Sequence, residues 1–446
     1  MTAREAALTA LFETESRAGY LNLLFMETLS RANLSPADAS FAKELVFGVY
    51  REKLLLDYVI RSHSSLRLKK IDPKVLVLLR MGVYQICFMD KVPDHAAVSE
   101  SVVLAKKCGR GKIPGFVNAV LRSVLRSRNE GNPLDVSPLK KDPVKYLSVA
   151  YSYPEPLVSF FLKTFGGRAE ALLTAGNKTP DLCVRVNTLR ITRDALRKKL
   201  EDVGIRAMDT PYTNCGLYLY GADEQKRKAF MQDFTVQDQS SQLAALALAP
   251  LPNELVLDLC SAPGGKTTHI AELMENKGAI YAFDLYEKRL ASVSDAQKKL
   301  GLSIIKTRAH DATLPMEEFF GKADRVLLDV PCSGLGIIRR KPDIKYKEDI
   351  TDFSSLLKVQ KTILNTAKQY VKPGGVLVYS TCTINPAENR DMITWFLKEN
   401  PDFHLCSIDS PYITEALSKR AKTGILEIFP DTDQSDGFFV CKMQKG

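Results

Sequence analysis

Two cysteines stand where strands run out. Cys332 follows the apolar run of "RVLLDVPCSGLG", and Cys382 follows that of "LVYSTCT". A thiolate is a strong nucleophile, able to form a covalent intermediate that splits one difficult step into two. Placed singly, each cysteine reads equally well as a small buried hydrophobe. Placed together behind a cofactor loop, they read as one piece of chemistry.

The candidate loop is "LDLCSAPGGKTTHIAELM", in which a strand ends near Cys260 and a helix begins near Lys266. Gly264 and Gly265 allow a tight turn and close approach of a ligand. A phosphate-binding P-loop needs G-x-x-x-x-G-K-[ST], but Cys260 occupies the position of its first glycine. The dinucleotide pattern G-x-G-x-x-G is also missing. S-adenosyl-L-methionine remains, since it carries a ribose and a carboxylate but no phosphate. Asp284, ending "AIYAFD", lies about twenty residues past the loop, the usual separation for a ribose-binding acid in a βαβ unit. Asp311, in "AHDA", is placed for the adenine amino group. The plainer reading of either acid is a turn cap.

A methyl donor explains why cysteines would be needed. Oxygen and nitrogen targets are already nucleophilic; carbon 5 of a pyrimidine is not. A thiolate adding to carbon 6 turns carbon 5 into an enamine carbon that can take a methyl group. A base then removes the carbon-5 proton so that the thiolate can leave. A proton donor near N3 eases charge on the ring. Asp329, three residues before Cys332, is the natural partner for the N3/N4 edge of the base.

These residues need a sheet to hold them. "LVLDLC", "AIYAFD", "SIIKTRAHD", "RVLLDV" and "GVLVYST" read as strands separated by helical segments. That alternation predicts a mostly parallel sheet with helices on both faces, binding ligands at the strand carboxyl ends. "GILEIF" and "GFFVCKM" predict a closing C-terminal hairpin. Upstream, "LCVRVNTLR", "TRDALRKKLEDVG" and "GLYLYG" predict a small α+β domain over 144–238. The segment 128–143 reads as a linker. Residues 1–130 read as an all-helical bundle; Val117, Val120, Leu121, Val124 and Leu125 form one apolar stripe. The methyltransferase domain is expected over 239–446.

The 446 residues suit several domains, with 45% hydrophobic and 26% charged residues. The N-terminal stretch is charged throughout and no apolar run approaches membrane-spanning length, so a cytoplasmic protein is expected. Lysine and arginine number 62 against 52 acids, a net charge of +10 that suits a polyanion partner. Nine cysteines without C-x-x-C spacing and five scattered histidines give no support for a disulfide framework or a metal site.

"CSAPGGKTTH", "LLDVPCSGLGIIRRKPDIKY" and "YSTCTINPAEN" together resemble the RNA cytosine-C5 methyltransferases of the Sun/Fmu family. The resemblance covers almost the whole chain. "FAKELVFGVYR", "RMGVYQI", "DHAAVSESVVLAK" and "FVNAVLR" resemble the antitermination factor NusB, an addition typical of the ribosomal RNA small subunit methyltransferase B branch. The resemblance implies a NusB-like bundle, a small α+β domain and a Rossmann-like class I methyltransferase domain. It implies that Cys382 is the nucleophile and that Cys332 assists release. DNA cytosine methyltransferases use the Pro-Cys cysteine instead, so this assignment rests on the RNA family. Cofactor contacts are implied from Cys260, Ser261, Ala262, Pro263, Gly264, Gly265 and Lys266, and from Asp284, Asp311 and Asp329. Lys266 also counts among the catalytic positions.

The implied reaction is methyl transfer to carbon 5 of a cytosine in 16S ribosomal RNA, by a monomer. Arg339, Arg340 and Lys341 are expected to contact RNA, the alternative being a solvated charge run. The same chemistry on transfer RNA, or a non-catalytic assembly protein, are the competing readings. Ser261 stands where the family usually has alanine, and Tyr346 where it has tryptophan. "YSYPEPLV" replaces a His-Pro-x-Trp pattern.

Overall fold

The computed structural model describes residues 1–17, 19–109 and 111–446. They form two compact units, one of Met1–Asn177 with Arg340–Thr351, the other of Lys178–Arg339 with Asp352–Gly446.

The first unit is helical. Its central helix, Pro73–Phe88, starts at Asp72, whose carboxylate accepts from the backbone N–H groups of Lys74 and Val75. Such a cap satisfies donors that the first turn leaves open. The helix is apolar around most of its circumference and is buried from Val77 to Ile86. Arg80 is the buried cation within it. Its guanidinium forks to Asp57 at 2.6 and 2.9 Å and to Glu15 at 2.8 and 3.0 Å, so the buried charge is compensated. The amphipathic helix Ile113–Glu130 buries Val117, Val120, Leu121 and Val124.

Helices Pro143–Tyr151, Glu155–Phe165 and Ala169–Asn177 also belong to this unit. The distant segment Arg340–Thr351 joins them, beginning directly after Arg339. Its Lys345 is fully buried and donates to Arg51 O at 2.8 Å and Asn177 Oδ1 at 3.1 Å, over the ring of Tyr153. Burial pushes the Lys345 amine down to about 7. Tyr346 shares a 3.0 Å hydrogen bond with the Ser152 hydroxyl and meets Tyr50 edge-on.

The second unit opens with a four-stranded antiparallel sheet of β1 (Leu182–Val186), β2 (Arg206–Asp209), β3 (Gly216–Tyr220) and β4 (Phe234–Val236), in the order β2-β3-β1-β4. Helix Arg193–Asp202 packs Leu196 and Leu200 against Val184, Val186, Leu217 and Leu219.

The larger sheet has eight strands: β5 (Leu255–Asp258), β6 (Ala279–Asp284), β7 (Ile305–Ala309), β8 (Ala323–Asp329), β9 (Val371–Thr381), β10 (Phe403–Leu405), β11 (Ile425–Ile428) and β12 (Phe438–Lys445). The order is β10-β12-β9-β8-β5-β6-β7, with β11 also on β12. Strands β5 to β9 pair in parallel, while β12 pairs antiparallel with β9, β10 and β11. Successive residues point to opposite faces. Leu327, Val376, Val378 and Val440 enter one core, and Val326, Leu328, Leu377, Tyr379 and Phe439 the other. Burial on both faces explains why these strands read as continuous apolar runs. The chain leaves β5 for β6 on one side and later returns to its other side as β8. That reversal opens a crevice at the carboxyl ends of β5 and β8, where doubly wound sheets bind ligands.

Among the described residues no helix is long and apolar enough to cross a membrane, and no group of three or more His, Cys, Asp or Glu side chains is placed to hold a metal.

Candidate active site

At the end of β5 the chain turns through residues 260–264 into helix Gly265–Leu273. The turn is held by Ser261 N–H donating to Phe283 O and Gly264 N–H donating to Ser261 O, both at 2.8 Å. Gly264 has φ +102°, and a Cβ there would lie 3.0 Å from Val293 Cα. Both the backbone conformation and the space therefore call for glycine. Asp284 ends β6 and is buried. Its carboxylate accepts from Ala262 N–H at 3.3 Å, Tyr286 N–H at 3.2 Å and Arg289 Nη1 at 3.2 Å. It thereby ties the second strand end to the loop after the first. Asp311 accepts from the backbone and hydroxyl of Thr313, which hold its carboxyl below the usual range.

A further acid, absent from the sequence reading, lies beneath the loop. Asp258 is buried at the end of β5 and accepts from Thr267 Oγ1 at 2.7 Å. Burial pushes its pKa up to about 7, opposed by the Thr267 hydrogen bond and aided by the charge of Asp329. Its Oδ1 and the nearby Ser261 Oγ are buried without hydrogen-bond partners. Two orphaned acceptors beside a glycine turn, with acids at the ends of β5, β6 and β8, fit a small polar ligand bearing ammonium and hydroxyl donors. S-adenosyl-L-methionine has both. Cys260 is kept a neutral thiol by burial, then by the charges of Asp258, Asp329 and Asp284.

Strands β8 and β9 are parallel neighbours, with Asp329 opposite Ser380. Residues just past those ends are therefore neighbours too, and Cys332 Sγ lies 3.3 Å from Cys382 Sγ. Asp329 is fixed from two directions. Ser380 Oγ donates to its Oδ1 at 2.9 Å, and Lys266 Nζ donates to its Oδ2 at 2.6 Å. Burial alone would lower the Lys266 amine. The charge and hydrogen bond of Asp329, then the charges of Cys382 and Asp258, outweigh it and raise the pKa. A fixed ammonium within electrostatic reach of a thiol favours its thiolate form. Cys332 is held well above the ordinary thiol range. The largest cause is its hydrogen bond with Cys382, followed by burial and by the charges of Cys382, Glu388 and Asp329.

Family models match three stretches: the NusB family over 1–126, an RsmF/B-like ferredoxin-like domain over 153–224, and 16S rRNA methyltransferase RsmB/F over 245–444. A probable ribosomal RNA small subunit methyltransferase B of Bacillus subtilis is 37% identical, covering 99% of this chain and 98% of its own. A probable protein of the same description from Synechocystis is 36% identical over all of both chains. The crystal structure of PH0851 superposes with TM-score 0.80 at 27% identity, covering 99% of this chain and 98% of that one. The chain belongs to the RsmB/F family of 16S rRNA methyltransferases.

The RsmB/F match contains the glycine loop, all four acids and both cysteines. It also contains Arg339, for which the structure corrects the expectation of an exposed basic run. Arg339 is buried, with Nε 2.6 Å from Asp436 Oδ1 and a second ion pair at 3.7 Å to Asp238 Oδ2. Its two carboxylates come from distant points in the chain, so its run of neighbours gave no sign of them. Arg340 is half-buried, and Lys341 is exposed.

Other residues of this RsmB/F site escaped the sequence reading. Gly336 packs so closely that a Cβ would lie 2.1 Å from Gly437 O and 2.8 Å from Cys382 O. Its N–H donates to Cys382 O at 3.0 Å. Arg185, from β1, is fully buried and reaches the helix that starts at the cofactor loop. It donates to Glu272 at 2.8 and 3.0 Å, to Gly265 O at 2.6 Å and to Gln237. Only an isolated arginine in a strand-like run was visible in the sequence. Glu388 and Asn389 sat in the quoted "NPAEN" without an assigned role. Glu388 accepts from Ser333 N–H and Oγ, Gln360 and Asn385, and Asn389 bonds Thr381 and Thr383.

Proposed function

We propose that this chain methylates carbon 5 of a cytosine in small-subunit ribosomal RNA, through a covalent bond between Cys382 and carbon 6. The observation that carries this reading is the pair of thiols 3.3 Å apart at the ends of β8 and β9, beside Lys266 and Asp329. Membership of the RsmB/F family and the full-length relatives support the ribosomal substrate. S-adenosyl-L-methionine, when bound by the 260–266 loop, Asp284, Asp311 and Asp329, supplies an electrophilic methyl group.

Lys266 holds positive charge beside Cys382 and favours its thiolate. The thiolate sulfur adds to carbon 6, and the electron pair of the C5=C6 bond becomes available at carbon 5. Asp329, one-quarter exposed on its side chain, faces the N3/N4 edge. After carbon 5 has taken the methyl group, its proton leaves to a base, the C5=C6 bond re-forms, and the Cys382 sulfur departs as thiolate. Bond formation at Cys382 removes its hydrogen bond and its charge, two of the causes that raise the Cys332 thiol. Cys332 then becomes more acidic, which suits it to take part in proton removal at release. Reaching a stacked base requires its extrusion from the helix, as in other base-modifying enzymes.

The test is methyl transfer from radiolabelled S-adenosyl-L-methionine to unmodified, deproteinised small-subunit ribosomal RNA, run beside transfer RNA, with nucleoside analysis. Label in 5-methylcytidine from ribosomal RNA alone is expected. Label only in transfer RNA, or in another nucleoside, would overturn the assignment. Lys341, the exposed member of the basic run, is the proposed phosphate contact. Lys341→Ala should reduce the salt dependence of RNA affinity by about one unit of log–log slope.

A further inference from the structure

Each cysteine is bracketed by the residues on either side of it. Around Cys332, Gln360 Nε2 donates to Pro331 O at 2.9 Å, and Ser333 N–H donates to Glu388 Oε2 at 2.9 Å. Around Cys382, Thr381 Oγ1 donates to Asn389 Oδ1 at 2.6 Å, and Asn389 Nδ2 donates to Thr383 O at 2.9 Å. Adjacent residues, Glu388 and Asn389, thus hold the two loops. A chain of hydroxyls joins them. Ser333 Oγ donates to Glu388 Oε1 at 2.5 Å, so its 2.7 Å bond with Thr383 Oγ1 is donated by Thr383, which accepts from Asn385 N–H at 3.2 Å.

Glu388 is fully buried, and its four donors are all neutral: Ser333 N–H, Ser333 Oγ, Gln360 Nε2 and Asn385 Nδ2. Four donors require four lone pairs, which a carboxylate has and a carboxamide oxygen lacks. The charge of Glu388 is one of the causes that raise the Cys332 thiol. Neither Glu388 nor Asn389 touches the proposed reacting atoms.

We propose that Glu388, with Asn389, is a positioning residue that locks the two cysteine loops together and sets how fast the protein–RNA adduct is released. This rests on the covalent reading above. The bracket keeps Cys332 within hydrogen-bonding distance of Cys382. Loosening it should harm release more than the methyl transfer that precedes it.

The experiment uses the full-length protein, wild type beside Glu388→Gln and Ser333→Ala. Iodoacetamide alkylation of Cys332 and Cys382 is followed by peptide mass against pH, and adduct lifetime is followed on small-subunit ribosomal RNA. In Glu388→Gln the alkylation profiles of Cys332 and Cys382 should depart from wild type as the two loops loosen. Adduct lifetime should lengthen more than about tenfold while first-turnover methyl transfer falls less than about threefold. Ser333→Ala, which cuts the hydroxyl chain but keeps the Ser333 N–H bond, should move the same readouts in the same direction by less. Unchanged alkylation profiles and adduct lifetime in folded variants would overturn the proposal. Should Glu388→Gln fail to fold, Ser333→Ala decides. Should wild type form no adduct, the covalent reading falls, and the alkylation profiles alone decide whether the bracket sets the thiols.

Discussion

Individual side chains divide the labour in this site by environment. Cys382 and Cys332 are the same residue type 3.3 Å apart, and the hydrogen bond between them, burial and neighbouring charges raise the Cys332 thiol. Cys382→Ala should abolish turnover while leaving S-adenosyl-L-methionine binding within about twofold, measured by equilibrium titration and single-turnover assay. Cys332→Ala should still add to RNA through Cys382 but accumulate the adduct, visible as an RNA-shifted band in denaturing gels. Asp258 gives a pH signature. An acid whose folded pKa is raised binds its proton more tightly when folded, so its contribution to stability falls as pH climbs from about 4 to about 7. Each unit is worth about 1.4 kcal/mol. Thermal unfolding should therefore show Asp258→Asn gaining on wild type across that window and holding its gain above it. A constant offset would contradict the raised pKa.

Elements set these environments by bringing their ends together. The parallel register of β8 and β9 puts Asp329 opposite Ser380 and so the two cysteine loops side by side. Gly336 lets the first loop run against Cys382 O and Gly437. Gly336→Ala must push backbone aside; turnover should fall more than about tenfold while affinity for S-adenosyl-L-methionine stays near wild type. β1 supports the cofactor loop through Arg185. Removing one partner of its buried ion pair should cost about 3–5 kcal/mol, because the other charge is left uncompensated. Arg185→Met should therefore unfold at lower denaturant than the double variant Arg185→Met/Glu272→Met. Both should show a raised KM for the methyl donor, as Gly265 O loses its donor. Equal destabilisation of single and double variants would remove the ion pair from this account.

At the scale of the whole molecule, the chain does not divide where its sequence patterns change. The stretch that follows Arg339, only eight residues beyond Cys332, has Ile344 and Lys345 buried within the helical unit, with Lys345 bonded to Arg51 O and Asn177. A fragment of residues 178–446 would leave this stretch without those partners. Its amides over 342–346 should exchange with solvent at least about a hundredfold faster than in the full chain, corresponding to about 2.7 kcal/mol of lost protection. Equal exchange would show that the stretch is ordered by the second unit alone.

The sequence by itself marked the five parallel strands and the C-terminal hairpin, and it singled out the glycine loop, the acids at 284, 311 and 329 and both cysteines as candidates. These are local signals: apolar runs buried on both faces, turns that only glycine permits, and motifs whose residues lie close together in the chain. What it could not determine were pairings between distant residues. Arg339 read as one of three adjacent cations until Asp238 and Asp436 were seen to bury it. Asp258, Arg185, Glu388 and Asn389 carried no motif that announced a role, because each acts through partners supplied by the fold. The 3.3 Å approach of two sulfurs fifty residues apart follows from the pairing of β8 with β9, and strand order is a property of the folded sheet.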